Sequence, residues 1–499
     1  MNMTAPDSLP SARGHAQSRR VELLWLLALL IALAFAFQGS RGLWGTDEGR
    51  YTNVALRMLN SGDYLFPSLN DEEPHFSKPP LTYWAIAESV RLLGRNEWAA
   101  RLPNALAFIG TGLLMYGLGL RLTPGRPWLP ALIYVTSLGP FVAANVITTD
   151  TLLTLWETLA VFAFVAAWFS DDAQRRRRYL LLMWCGFGLA FATKGPPGLL
   201  PLLPIAVLRW SYPSSSPPVV SWPGLAAFVV IGFSWFAAVI WARPELLGYF
   251  LGYEVYDRLF TSVQDRNPQW YGALQTYGMA FLIGTLPWLI LMIRPLMQSW
   301  RLVTPRFWRE RRDRDPAVFF LLLWLLLPLA VFCVAQSRLL LYVLPLFAPI
   351  ALLLATRLQS QAWVTTRWAM AAVGLTVVLL LGIKWGATIY PYHRDAREPA
   401  RLIAASLPGD KVKEVVYLDY WPQYGLSLYL NAAVEEASLS PPGHWCGELW
   451  EPGLHVFVAP KEYVKEVHRQ ANACGRYVIY KRFDWQELVF MTISAPSAG

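Results

Sequence analysis

The groups able to do chemistry in this sequence are a few acids and cations set at intervals along an otherwise apolar chain. Asp47 and Glu48 lie in Trp44-Gly45-Thr46-Asp47-Glu48-Gly49-Arg50-Tyr51, and Lys78 lies in Pro74-His75-Phe76-Ser77-Lys78-Pro79-Pro80. Asp150 stands in Thr148-Thr149-Asp150-Thr151, Arg258 closes Tyr253-Glu254-Val255-Tyr256-Asp257-Arg258, and Arg338 follows Gln336-Ser337. A carboxylate can orient or deprotonate an acceptor group, and Lys or Arg can clamp a phosphate, Arg with two parallel bonds. Each residue also has a plainer role. Thr46 would be a helix N-cap with Asp47 and Glu48 complementing the dipole, and Asp150 would be a second cap. Lys78 would snorkel at a membrane interface. A helix N-terminus keeps a carboxylate ionised and weakens it as a base, so positioning is the physically easier task for Asp47. No Walker loop and no dinucleotide-binding glycine fingerprint occurs, which excludes the common nucleotide-phosphate motifs.

The elements that must position these groups are membrane helices. The chain has 499 residues, of which 55% are hydrophobic and 15% charged, and its mean hydropathy is +0.32. Runs such as Val21–Gln38 and Ala317–Gln336 are long enough to cross a hydrocarbon core of about 30 Å. About eleven spans are expected from hydropathy, near residues 21–38, 99–120, 127–147, 149–169, 179–193, 196–209, 223–242, 271–293, 317–336, 338–356 and 367–388. Residues 1–20 are basic and run into the first span without a cleavable signal pattern. With that end in the cytoplasm, the excess Lys/Arg falls in alternate loops: Arg121 and Arg126, Arg175–Arg178, Arg294–Arg314, then Arg357 and Arg367. That is the positive-inside distribution. Loops 39–98 and 243–270 then lie outside the cytoplasm, the first with short interfacial helices over Glu48–Asn60 and Leu81–Leu93. The net charge of +9 forms no basic patch interleaved with aromatics, so nucleic acid is excluded as a partner.

From about residue 390 the composition becomes that of a soluble α/β domain of the same extracytoplasmic side. Strands are expected at Val415–Tyr420, Leu426–Leu430, His455–Val458, Tyr477–Tyr480 and Leu488–Ile493, and helices at Ala396–Leu407 and Pro460–Gln470. Cys446 and Cys474 fall in this domain, where a disulfide between them is expected. The fold expected is thus an α-helical polytopic membrane domain, 21–389, followed by a small α/β domain, 390–499.

Compartment narrows the chemistry. Nucleotide sugars are cytoplasmic, so an enzyme of the opposite face needs a donor that crosses with its own activation. A polyprenyl phosphate sugar fits, with its phosphate facing the cations and its tail in the bilayer. At these residues the sequence resembles the bacterial lipid A aminoarabinose transferases (ArnT) and their wider class, the GT-C membrane glycosyltransferases related to protein O-mannosyltransferases. The resemblance covers residues about 20 to 360. Asp47-Glu48 with Arg50-Tyr51, then Met58-Leu59-x-Ser61-Gly62-Asp63, resemble the first-loop pattern of that family. Lys78-Pro79 is similar to its Glu-Lys-Pro motif, Asp150 to its second acidic position, and Lys194-Gly195 to its Thr-Lys-Gly. Glu254 to Arg258 and the segment Ser337-Arg338-Leu339 with Tyr342-Val343-Leu344-Pro345 resemble two later motifs.

The resemblance implies an inverting, single-displacement glycosyltransferase on the inner membrane, with its active site on the periplasmic side. The donor would be a polyprenyl phosphate-linked sugar, and the acceptor lipid A, another envelope glycan or a protein. By that analogy Lys78, Arg258, Arg338 and Tyr342 hold the donor phosphate, Asp47 with Glu48 meets the acceptor or sugar, and Asp150 supports it. Family members can carry a divalent metal ion. Ser77 replaces the motif's glutamate and Val255 its histidine, which leaves His75 and Glu254 as the substitutes for that ion, with no nucleotide cofactor. The alternative from another class is a flippase or transporter of a lipid-linked glycan, which would place its ionisable groups near mid-bilayer. Here they cluster at one face, with Glu157 the exception.

Overall fold

The computed structural model describes residues 12–71, 73–213, 218–257, 261, 266–475 and 478–494. Among them, six helices are long and apolar enough to cross a membrane. They are Glu97–Leu122, Thr149–Trp168, Trp222–Ala242, Pro316–Val334, Leu340–Leu358 and Arg367–Ile389. Each falls on an expected span. The first helix, Ala12–Phe35, starts inside the basic segment and runs through the first of them.

Of the remaining expected spans, two are broken into separate helices, for local reasons. Residues 127–147 form two helices, Leu129–Thr136 and Leu138–Ala144, and residues 271–293 form Gly272–Gly284 and the start of Leu289–Met297. The two breaks answer each other. The Leu138 N–H donates to the Leu286 carbonyl at 3.0 Å, and the Trp288 indole donates to Thr136 Oγ1 at 2.9 Å. Gly139 and Gly284 let the backbones approach, since a Cβ on Gly139 would stand 3.1 Å from the Gly284 Cα. Broken helices persist in apolar surroundings when the freed backbone groups are satisfied inside the protein, as here. The span expected at 179–193 is longer, because Asp172 caps a helix over Ala173–Lys194 by accepting from the Arg175 N–H at 2.8 Å. Gly195, at φ +72°, ends it. The next span is a 3-10 turn, Pro196–Leu199, followed by the helix Leu202–Ser211.

The first loop carries the helices Gly45–Ser61 and Leu81–Leu93. Thr46 is not the cap expected of it. Trp44 is the N-cap and Gly45 the first helical residue, and Glu48, four residues after the cap, accepts from the Trp44 N–H at 2.8 Å, satisfying a donor that the helix start leaves free. At the other end Gly62 takes the left-handed conformation, φ +74°, and its N–H returns to the Met58 carbonyl. In the second loop Tyr249–Asp257 is a π-helix.

The C-terminal domain is a five-stranded mixed sheet in the order β2-β1-β3-β5-β4. The strands are β1 Val412–Leu418, β2 Ala433–Ala437, β3 Leu454–Pro460, β4 Val478–Trp485 and β5 Leu488–Ser494. The expected strand at Leu426–Leu430 is instead a short helix ended by Asn431 at φ +52°; a five-residue apolar run has no periodicity that separates the two. The true second strand is the more polar Ala-Val-Glu-Glu-Ala that follows. Tyr477, the first residue of the expected fourth strand, lies outside the described residues. The helices Arg397–Ser406 and Val464–Ala473 fall within or near their expected ranges. One face of the sheet carries a core of its own, with Val416, Trp445, Phe457 and Val467, and the other face shares its core with the first loop. Val54, Met58, Tyr83 and Ile86 of the loop helices pack in one buried cluster with Ile403, Val415, Tyr417, Leu426 and Phe490.

Cys446 and Cys474 are joined by a disulfide, with Cα atoms 5.8 Å apart and a sequence separation of 28. Closing a loop of that size restricts the unfolded chain by about 3–4 kcal/mol. Denatured, unreduced protein should label at Cys185 and Cys333 alone, and at all four cysteines after reduction. Reduction should lower the melting temperature of the domain.

Candidate active site

A cavity of about 900 Å³ lies where the first loop, the π-helix and the ends of several membrane helices meet. Its lining includes Asp47, His75, Lys78, Asp150, Glu254 and Tyr342 from the sequence-based set. Lys194 and Arg266 line it as well, together with Arg50 and Tyr51.

Antiparallel helix packing explains the deepest pair. Thr149–Trp168 and Ala173–Lys194 are antiparallel neighbours, so the N-terminus of one lies beside the C-terminus of the other. Thr148 caps the first, accepting from the Asp150 N–H at 3.4 Å, which leaves the Asp150 carboxylate in the first turn rather than at the cap. Lys194 occupies the last turn of its partner. Each charge suits its own helix end, and the two form an ion pair in which both side chains are buried. The Lys194 ammonium also stands 4.3 Å from the centre of the Tyr342 ring, a cation–π contact.

Asp47 faces the cavity from the first turn of Gly45–Ser61. It pairs with Arg50 one turn on, and its side chain keeps 46% of its exposure, which leaves a carboxylate edge for a ligand. Beside it burial, and then the Asp47 charge, push the Tyr51 hydroxyl up. Tyr51 is therefore a hydrogen-bond donor at neutral pH. Lys78 donates to its own Ser77 carbonyl at 2.8 Å, and Arg266 reaches the Tyr342 hydroxyl at 3.4 Å. Two of the three cavity acids are neutralised by Arg50 and Lys194. Lys78 and Arg266 then outnumber Glu254, and the balance is positive, as a phosphate requires.

Two of the expected site residues stand elsewhere, and a third, Arg258, lies outside the described residues. Arg338 is 4% exposed and faces backbone, not the cavity. Its guanidinium donates to the Asn267 and Gln269 carbonyls at 2.8 Å each and to the Cys333 carbonyl at 3.1 Å. Its own N–H donates to the Arg266 carbonyl at 2.8 Å. Arg338 thus holds the segment that delivers Arg266, the cation that replaces it in the cavity. Glu48 is fully buried, and helical periodicity turns it away from Asp47. It accepts from Arg41 at 2.7 and 3.0 Å, from Arg101 at 2.9 and 3.0 Å and from the Ile147 N–H at 3.3 Å.

His75 and Glu254, the residues expected to hold a metal ion, both line the cavity. His75 Nε2 is 2.9 Å from Ser77 Oγ, and Glu254 accepts from the Tyr249 hydroxyl at 3.0 Å. Among the described residues, neither belongs to a group of three ligating side chains.

Comparison with known proteins agrees with this architecture. A family model described as dolichyl-phosphate-mannose-protein mannosyltransferase matches residues 77–242. The undecaprenyl phosphate-alpha-4-amino-4-deoxy-L-arabinose arabinosyl transferase of Edwardsiella ictaluri is 31% identical over 431 residues, covering 81% of this chain and 71% of the relative. The chain belongs to this ArnT family of GT-C glycosyltransferases. The protein of the same description from Pectobacterium carotovorum subsp. carotovorum is 29% identical, covering 74% of this chain and 67% of its own. The crystal structure of ArnT from Cupriavidus metallidurans bound to undecaprenyl phosphate superposes with a TM-score of 0.71 at 20% identity, over 94% of this chain and 97% of that one. It shares the fold. The chain is a membrane-embedded glycosyltransferase.

Lys194 and Arg266 are additions to the sequence-based set. Lys194 could have been assigned a role from its place, a cation in the last turn of a helix stopped by Gly195-Pro196-Pro197. Arg266 has no such signal, being one arginine of a polar loop.

Burial by itself would raise the Glu48 carboxyl, but the Arg101 and Arg41 charges outweigh it and hold the group at about 2. A lowered carboxyl stabilises the fold fully above its unfolded value near 4.5, and that contribution is lost as pH falls toward 2. Glu48→Gln should leave two buried guanidiniums uncompensated and cost about 3–5 kcal/mol. Thermal unfolding in detergent between pH 7 and pH 3 should show the wild type losing stability toward the acid end and the variant starting low with a flatter profile.

Proposed function

We propose that the chain transfers a sugar from an undecaprenyl phosphate donor to an acceptor on the periplasmic face of the inner membrane, in one inverting displacement. The observation that carries this reading is the positively charged cavity that Lys78, Arg266 and Tyr342 line together with Asp47 and Asp150. The loops rich in Lys and Arg belong to the opposite face, which supports the periplasmic assignment.

The acceptor oxygen forms a bond to the anomeric carbon as the bond from that carbon to the phosphate oxygen breaks. The electron pair leaves with undecaprenyl phosphate. Lys78, Arg266 and the Tyr342 hydroxyl stabilise the charge that grows on the departing phosphate. Lys194 holds Asp150 and faces the Tyr342 ring, fixing both. Asp47, held by Arg50, is placed to orient the acceptor or the sugar hydroxyls. A phosphate acceptor needs no base, and a hydroxyl acceptor would give its proton to Asp47.

The family relatives are named for α-4-amino-4-deoxy-L-arabinose on undecaprenyl phosphate, so that donor, with lipid A as acceptor, leads the panel to test. Ser77 and Val255 stand where the family motifs have glutamate and histidine, so the pocket departs from the family at two places.

The test is transfer by purified protein in lipid, with radiolabelled undecaprenyl phosphate sugars and lipid A. Asp47→Asn, Lys78→Ala and Arg266→Ala should each lower kcat by about 100-fold or more, with melting temperatures close to wild type. Full activity in Asp47→Asn and Lys78→Ala would remove the assignment. Absence of turnover with passage of a lipid-linked glycan across the bilayer would replace it with transport.

A further inference from the structure

Outside the cavity, the C-terminal sheet gathers a second set of ligating groups. Glu414 on β1 and His455 on β3 are register partners, and Glu435 on β2 is the partner of Val416. Side chains alternate along a strand, so Glu414, Glu435 and His455 share one face. The chain leading into β3 adds Glu448, from the 3-10 turn His444–Leu449, and Glu451 just beyond it. The ligand atoms of Glu414, Glu451 and His455 all lie within 4.8 Å of one another, and so do those of Glu414, Glu435 and Glu448. Glu414 belongs to both groups.

The histidine distinguishes this place from an ordinary acidic surface. His455 is 6% exposed, and neither ring nitrogen meets a partner in good hydrogen-bond geometry, the nearby Pro452 carbonyl included. Its Nδ1 stands 3.4 Å from Glu414 Oε2. A buried imidazole aimed at carboxylates without a hydrogen bond is costly unless something between them is bound. We propose that Glu414, His455 and Glu451, with Glu435 and Glu448 alongside, form a divalent transition-metal site that fastens β1 and β3 to the turn before β3. Imidazole with carboxylates suits zinc and its neighbours better than calcium or magnesium, which prefer all-oxygen shells.

Protonation agrees with this geometry. Burial, and then the Glu435 charge, push the Glu414 carboxyl up. Burial and the Lys413 charge lower His455, against the Glu451 charge and the Pro452 carbonyl. Crowding of the carboxylates thus favours a shared proton in the metal-free cluster, which a bound cation displaces. Lys413, 2.7 Å from Glu451, occupies that ligand until the cation does, and both side chains are exposed enough to part.

The experiment uses the full-length protein in detergent, stripped with chelator, in a His75→Ala, Glu254→Ala background that removes the cavity's own candidate ligands. Equilibrium dialysis against Zn²⁺ with elemental analysis should find one equivalent per chain, bound more weakly as pH falls. Glu414→Gln reproduces the protonated metal-free form and so keeps the fold, and Glu451→Gln changes an exposed residue. Each should weaken Zn²⁺ at least about tenfold and abolish the rise in melting temperature that Zn²⁺ gives the parent. Less than one equivalent in the parent, or equal retention by Glu414→Gln and Glu451→Gln, overturns the proposal and leaves the shared proton as the whole account of the cluster.

Discussion

The buried contact of Glu48 with Arg41 and Arg101 is the joint on which the site depends. One carboxylate gathers the end of the first helix, the start of the first loop, the helix Glu97–Leu122 and the turn before Thr149–Trp168. Arg41 also donates to the Asn145 carbonyl at 2.7 Å, and Asn104 to the Val146 carbonyl at 2.8 Å. Asp47 precedes Glu48 and Asp150 follows Ile147, so the same anchor fixes the starting points of both cavity acids. A buried ion pair of this kind gives little net stability against an apolar replacement. What it supplies here is register between elements far apart in sequence.

Much of the architecture was legible from composition. Runs of apolar residues and the alternation of basic loops located the long helices, because burial in lipid demands both. The interrupted spans were not legible. Leu138 and Leu286 satisfy each other across the fold, and nothing in either segment alone announces a partner for a freed N–H. The same limit applied to Leu426–Leu430 and to the strand after it, where tertiary packing overrode a short apolar run.

The site was legible where a residue's neighbours in sequence determine its surroundings. Asp47 and Asp150 begin helices, and Lys78 sits in a proline-stiffened loop, so their common face followed from topology. Glu48 and Arg338 are charged in the same stretches, yet each is buried against groups distant in sequence. A charge next to a functional residue and a charge that holds it in place look alike until packing is known. The cavity needs both, since Arg338 fixes the backbone that presents Arg266, and Glu48 fixes the helix that presents Asp47.

The helix that bears Asp47 touches the C-terminal domain backbone to backbone. A Cβ on Gly49 would meet the Gly425 nitrogen at 2.5 Å, and one on Gly425 would meet the Ala396 Cβ at 2.8 Å. Two glycines on opposite sides of a domain boundary therefore act as one character in inheritance. A chimaera that takes its membrane part from one family member and its C-terminal domain from another must match at this seam. A side chain at either glycine would wedge the two parts of the chain apart.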